Sequence, residues 1–310
     1  MNLNIRGCGT ALVTPFRKDG SLDLDALRRL VQFQLRSGID FLVPCGTTGE
    51  TPTLEHAEYL GVVRTVVQEV AGKVPVIAGV GGNNTNKVIG LAAEVRGLGV
   101  AGILSVAPYY NKPPQEGLYQ HFRAIAESTD LPVIVYNVPS RTSCNIEPAT
   151  VARLSQIPNI IAIKEASGSI VQQMEVLAAV APGFGVLSGD DVFTFPLMAL
   201  GGAGVISVIS NEIPAEMTRL AHLLLEGKIE AARQLHFSLL PLMQVNFIET
   251  NPIPVKAALA MMGLIEEVYR LPLVPLKAEN RVKLEQVLAA QGLLPGRQAA
   301  AARGLTHERS

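Results

Sequence analysis

A chain of 310 residues that is 48% hydrophobic, 17% charged and formally −1 at pH 7 has the composition of a globular protein with a sizeable core. The near-balance of charge argues against nucleic acid or an anionic membrane surface as partner, and no apolar run reaches the roughly 20 residues of a membrane span. The opening residues, MNLNIRGCGTALVTPF, lack the charged leader and long apolar core of a signal peptide. Cys8, Cys45 and Cys144 are odd in number and widely separated, matching neither a disulfide framework nor the spacing of a zinc site. They read as small buried thiols in a cytoplasmic protein.

In chain order, short apolar runs alternate with longer amphipathic stretches, the pattern of repeated β-α units around a parallel sheet. Strands are expected at 10–14, 41–44, 74–80, 102–107, 133–137, 160–164, 186–188 and 204–209. Eight is the number that closes a parallel barrel, so the fold class expected is α/β, a (β/α)8 TIM barrel. Helix signals fall between the runs. Asp23 and Asp25 precede leucines at helical spacing, and Thr53 stands as a plausible N-cap with Glu55 close behind. Pro114 and Pro148 suit first helical turns, and Gly38, Gly72, Gly97 and Gly99 stand where helices should stop. From Pro214 onward only helical stretches remain, interrupted around Asn251-Pro252 and Leu271-Pro272. The expected organisation is a barrel over residues 1–212, a helical C-terminal region over 213–294, and a disordered tail over 295–310 that is rich in Ala, Arg and Gln.

In a parallel barrel the chemistry gathers at the carboxyl ends of the strands. The run Ile160-Ile161-Ala162-Ile163 ends in Lys164. Desolvation lowers the pKa of a buried amine and frees it as a nucleophile for a carbonyl; a strand-end ion pair with Glu165 is the plain alternative. The second run leads into Gly46-Thr47-Thr48-Gly49-Glu50, a turn able to hold a carboxylate by hydroxyl and backbone donors, or simply a tight turn. Tyr109 and Tyr110 follow the fourth run, Tyr136 and Arg141 the fifth, and Gly189, Asp190 and Asp191 the seventh, where helix capping is the commoner role for the two aspartates. Each has an ordinary explanation alone, yet all fall on one face of one barrel. No dinucleotide fingerprint, phosphate cradle or metal-ligand spacing is present, so neither cofactor, phosphorylated substrate nor metal is expected.

The segments GTTGET (46–51), PYYNKPPQEGLYQHF (108–122), YNVPSRT (136–142), IAIKEASG (161–168), SGDD (188–191) and ETNPIPVKAAL (249–259) resemble the dihydrodipicolinate synthase family. That family lies within the pyruvate-dependent Schiff-base lyases, which include N-acetylneuraminate lyase, and the resemblance runs from about residue 7 to 294. It implies that Lys164 forms an imine with pyruvate, that Tyr136 relays protons, and that Thr47 links Tyr136 to Tyr110, which reaches into a neighbouring subunit. It further implies that Thr48 and Gly189 hold the pyruvate carboxylate, that Ile206 lines the pocket through its backbone, and that Arg141 anchors L-aspartate 4-semialdehyde. The product would be 4-hydroxy-tetrahydrodipicolinate, made for lysine biosynthesis by a homo-oligomer, a tetramer in the family pattern. Alternatives are another pyruvate-dependent aldolase or dehydratase acting on sugar acids, or a non-catalytic pyruvate-binding barrel. Feedback-inhibited members bind lysine at a subunit interface whose matching positions are Thr51, Pro52, His56, Tyr59, Asn83, Lys87 and Tyr109. Here Tyr59 replaces a histidine and Lys87 replaces a glutamate, so this site is expected not to function.

Overall fold

The computed structural model describes residues 3 and 5–294; the expected tail over 295–310 lies outside them. Eight strands alternate with helices: β1 (Gly7–Ala11), β2 (Phe41–Val43), β3 (Ile77–Gly79), β4 (Gly102–Val106), β5 (Val133–Asn137), β6 (Ile160–Glu165), β7 (Gly185–Ser188) and β8 (Gly204–Ser207). All pair in parallel in the order β2-β1-β8-β7-β6-β5-β4-β3. A bridge from Leu42 to Val76 brings the two ends together. The Leu42 N–H donates to the Pro75 carbonyl at 3.0 Å and the Gly79 N–H to that of Pro44 at 2.9 Å. The sheet therefore closes, leaving no free edge, and the expected (β/α)8 barrel is what the chain forms.

The first strand differs from expectation. It spans Gly7–Ala11 rather than 10–14, pairing Gly7 to Thr10 with β8 and Gly9 to Ala11 with β2. Every residue from Gly7 to Phe16 is buried, so the sequence pattern carries no alternation to mark where the ladder ends, and the partners decide it. Gly9 is required by a neighbour: a Cβ there would lie 2.0 Å from the Phe41 ring, which fills the barrel interior beside Val43, Ile77, Leu104, Ile134, Leu187 and Ile206.

The helices α1 (Leu24–Arg36), α2 (His56–Val70), α3 (Thr85–Arg96) and α4 (Gln115–Glu127) cover the outside of the first half. Asp23 caps α1, accepting from the Ala26 N–H at 2.9 Å. Thr53 does not cap α2. It sits in a short 3-10 turn, Leu54 is extended, and Glu55 and Glu58 form the capping box instead. Pro114 is likewise one step early, serving as the N-cap of α4. The short α5 (Pro139–Thr142) carries Arg141, and α6 (Pro148–Leu154) opens on Pro148 as expected. After α7 (Ile170–Ala179) and α8 (Thr194–Ala199), α9 (Pro214–Leu225) packs against β1 and β8 in the place of an eighth barrel helix. Then α10 (Ile229–Val245), α11 (Ile253–Met261) and α12 (Ala278–Ala290) pack on one another and on the barrel helices. The main apolar core lies between sheet and helices and includes Leu42, Val63, Ile103, Phe122, Ile163 and Met217. Among the described residues no helix is long and apolar enough to cross a membrane.

Candidate active site

Strands β5 and β6 pair so that Tyr136 lies beside Lys164 and Asn137 beside Glu165. Because side chains alternate across a strand, Tyr136 and Lys164 share one face and Asn137 and Glu165 the other. The outer pair is bonded: the Asn137 amide donates to Glu165 Oε2 at 3.0 Å, while Glu165 Oε1 accepts the Ser167 N–H at 2.7 Å. Glu165 thus serves the strand ends and leaves Lys164 without it as an ion-pair partner.

Lys164 is 5% exposed, and its Nζ sits 4.4 Å from the centroid of the Tyr136 ring. Burial lowers its pKa to about 8; the carboxylates of Asp191 and Asp190 oppose that fall, and the Arg141 guanidinium assists it. Burial raises the Tyr136 phenol, with Arg141 and the Thr47 hydroxyl pulling the other way. An amine that loses its proton more readily than an ordinary lysine therefore faces a protonated phenol.

These two groups open into a cavity of about 380 Å³ lined by Thr47, Thr48, Tyr136, Arg141, Lys164, Gly189, Asp190 and Val208. The segment between α10 and α11 supplies Phe247, Glu249, Thr250 and Asn251 to the same wall. Gly189 is there for space: a Cβ would stand 3.0 Å from Lys164 Cγ and 3.1 Å from its Cε. Thr47, Thr48 and Gly49 form a 3-10 turn pinned by the Thr14 hydroxyl, which donates to the Gly49 carbonyl at 2.7 Å. Arg141 donates from Nη2 to the Asn251 carbonyl at 3.1 Å. Asp191 does cap a turn, but the one after β8 rather than its own helix, accepting the Val208 and Ile209 N–H groups at 3.0 and 3.1 Å. Its desolvated carboxyl is pushed up to about 6. A neighbouring apolar cavity of about 530 Å³ shares Thr47, Tyr136, Arg141 and Asn251 and reaches Tyr109 and Leu273. Another cavity, about 660 Å³, lies at the opposite mouth, where Arg6 is the one charged side chain among the described residues of its wall.

Of the expected site residues, Lys164, Tyr136, Thr47, Thr48, Arg141 and Gly189 come together in one chain. Tyr110 lines neither neighbouring cavity and stands 89% exposed at a backbone φ of 73°. Ile206 is fully buried in the barrel interior, and Val208, two residues on, is the part of that segment on the cavity wall. At the expected lysine-site positions, Thr51, Pro52 and Tyr109 line the apolar cavity, and Asn83 donates to the Tyr109 carbonyl at 3.2 Å. Lys87 is exposed on the first turn of α3, whereas Tyr59 is buried and donates its hydroxyl to the Gly79 carbonyl at 2.9 Å. His56 contacts Glu94 at 2.8 Å.

The model of the dihydrodipicolinate synthetase family matches residues 4–291. The chain belongs to that family. A 4-hydroxy-tetrahydrodipicolinate synthase from Koribacter versatilis is 56% identical over 293 residues, covering 94% of this chain and 98% of the relative. The crystal structure of the dihydrodipicolinate synthase from Thermotoga maritima superposes with a TM-score of 0.92 at 47% identity, covering 94% of this chain and all of that one. The chloride-inhibited dihydrodipicolinate synthase from Acinetobacter baumannii, solved with pyruvate, matches with a TM-score of 0.92 at 41% identity, covering 94% of this chain and 100% of that one.

Sequence reasoning did not assign Asn251, Thr250 or Glu249 to the cavity, although they lie in the ETNPIPVKAAL segment that carries part of the family resemblance. They precede a helix and follow no strand, so the rule of looking at strand ends passes over them. It also missed the buried ion pair of Lys256 with Glu50, two charges 206 residues apart in the chain.

Proposed function

We propose that this chain is a Schiff-base lyase that condenses pyruvate with L-aspartate 4-semialdehyde to give 4-hydroxy-tetrahydrodipicolinate, for lysine and diaminopimelate biosynthesis. The observation that carries this is the desolvated Lys164 amine, with its pKa lowered to about 8, held against Tyr136 in a cavity that also contains Arg141. The synthases at about half identity over nearly the whole chain support the same reaction.

In this chemistry the neutral Lys164 amine attacks the ketone carbon of pyruvate, and water leaves as the imine forms. The imine nitrogen, once protonated, draws electrons from the adjacent methyl group, so loss of a methyl proton gives an enamine. Tyr136, close to the amine and beside Thr47, is placed to carry these protons. Thr48 and the Gly189 backbone take the pyruvate carboxylate, and Arg141 offers its guanidinium fork to the carboxylate of the aldehyde substrate. The enamine carbon then bonds to the aldehyde carbon. Attack of that substrate's own amine on the imine carbon closes the ring and returns Lys164 as a free amine.

Tyr110 is the group that requires a second subunit, and its exposure supports an active homo-oligomer, a tetramer in our reading. The three buried, unpaired thiols support a reducing, cytoplasmic setting. A coupled assay with pyruvate and L-aspartate 4-semialdehyde, run beside N-acetylneuraminate and 2-keto-3-deoxygluconate, tests the substrate choice. Turnover only with the first pair is expected; faster cleavage of either sugar acid would reassign the enzyme within its superfamily.

A further inference from the structure

Lys256 and Glu50 are both fully buried, with Nζ on Oε1, and the second Glu50 oxygen accepts the Arg270 N–H at 3.1 Å. The ammonium also lies 4.3 Å from the centroid of the Phe16 ring. A buried ion pair adds little to stability over an apolar pair of the same volume, because desolvation offsets the Coulomb attraction. Glu50 additionally adopts a φ of 51°, a left-handed conformation that a non-glycine residue enters at some cost. Neither feature explains itself as fold stability. Their place in the chain does. Glu50 ends the turn that carries Thr47 and Thr48, and Lys256 lies in the first turns of α11, just beyond Asn251.

Asn251 bridges the two anion-binding groups of the site. Its Nδ2 donates to Thr48 Oγ1 at 3.0 Å, and its carbonyl accepts Arg141 Nη2 at 3.1 Å. The side chain is buried and Oδ1 has no partner among the described residues. With an amide donor occupying the Thr48 oxygen, the hydroxyl proton is free to point at an acceptor in the cavity, and a carboxylate can only accept.

We propose that Asn251 is a positioning residue for the pyruvate carboxylate, acting through Thr48, and that the Lys256–Glu50 pair is the clamp that holds it there. This rests on the imine chemistry proposed above. The C-terminal helices are thereby part of the binding machinery: they set the direction of a donor whose own loop belongs to the barrel.

The test measures the pyruvate concentration that half-saturates borohydride-trapped adduct on wild type, Asn251→Ala, Thr48→Val and the double variant, each checked for wild-type secondary structure by circular dichroism. Each single substitution is expected to raise that concentration about tenfold, and the double variant no further than the weaker single. Effects that multiply, to about a hundredfold, would show that Asn251 acts independently of Thr48 and overturn the proposal. Should Asn251→Ala not fold, Asn251→Ser enters the same cycle. For the clamp, Glu50→Gln or Lys256→Met alone should lower Tm, and the pair together should recover it while the half-saturating pyruvate concentration stays raised at least fivefold. Recovery of both would reduce the ion pair to a structural role. Failure of wild type to trap any adduct refutes the imine chemistry itself, a result distinct from either of these.

Discussion

Lys164 is prepared by where it sits. With its pKa lowered to about 8, two to three orders of magnitude more of the amine is neutral at pH 7 than for an ordinary lysine. The sign of the pH effect follows: below about 8 the amine is mostly protonated and inert, so the rate of pyruvate imine formation should climb as pH rises and level off above that value. A profile still climbing steeply at pH 10 would mean that burial has not lowered this amine. Lysine inhibition is decided at the same scale. A lysine molecule needs an acidic partner for its ammonium, and on the family resemblance Lys87 stands at the position expected to carry a glutamate and offers repulsion there, while Glu94 is already engaged with His56. At about 4 Å and an intermediate dielectric a single charge term is on the order of 4 kcal/mol, and heavy screening still leaves tenfold or more. Half-inhibition by L-lysine is expected only above about 1 mM, and inhibition below that would show Glu94 or another carboxylate turning to the ligand.

At the scale of elements, the site depends on close approach between strand ends. Gly189→Ala would push a methyl against Lys164 Cγ and Cε and the Ala166 Cβ, the last at 2.8 Å. A displaced lysine should lose 10- to 100-fold in turnover with a far-ultraviolet spectrum like wild type; unchanged turnover would mean the loop after β7 yields freely. Helix α4 carries a different liability. His121 is buried with Nδ1 on the Thr85 hydroxyl at 2.9 Å and Nε2 without a partner among the described residues, and burial lowers its pKa to about 4. The unfolded chain takes up this proton near pH 6.5, before the native one does. Stability is therefore full above about 6.5 and falls as pH drops toward 4, by on the order of 3 kcal/mol from this group. His121→Gln should flatten that part of the acid-unfolding curve, and an unchanged curve would place the sensitive group elsewhere. Element order was legible in the sequence because buried parallel strands read as continuous apolar runs, though the same continuity hid where β1 and β8 end. Element starts were less so. Thr53 looked like a cap, yet Pro52 and an extended Leu54 delay α2 until Glu55 and Glu58 can bond each other's backbone.

For the whole molecule, barrel closure brings together groups that no local pattern links. Lys164, Tyr136 and the 46–49 turn were readable one by one as polar residues after apolar runs. Asn251 and Lys256 were not, because they meet Thr48 and Glu50 only after the C-terminal helices pack across the barrel mouth. In the proposed reading, Tyr110 extends the same logic beyond one chain. Inactive Tyr110→Phe and Lys164→Ala subunits, mixed under conditions of verified exchange, should form hybrids with partial activity, and no recovery would mean each site is complete in one chain. The chemistry as a whole rests on one covalent bond, and borohydride reduction with pyruvate followed by peptide mass spectrometry reads it directly. A single reduced pyruvate adduct on Lys164, absent in Lys164→Ala, is the expected result; an adduct on another lysine, or none on a folded protein, would contradict it.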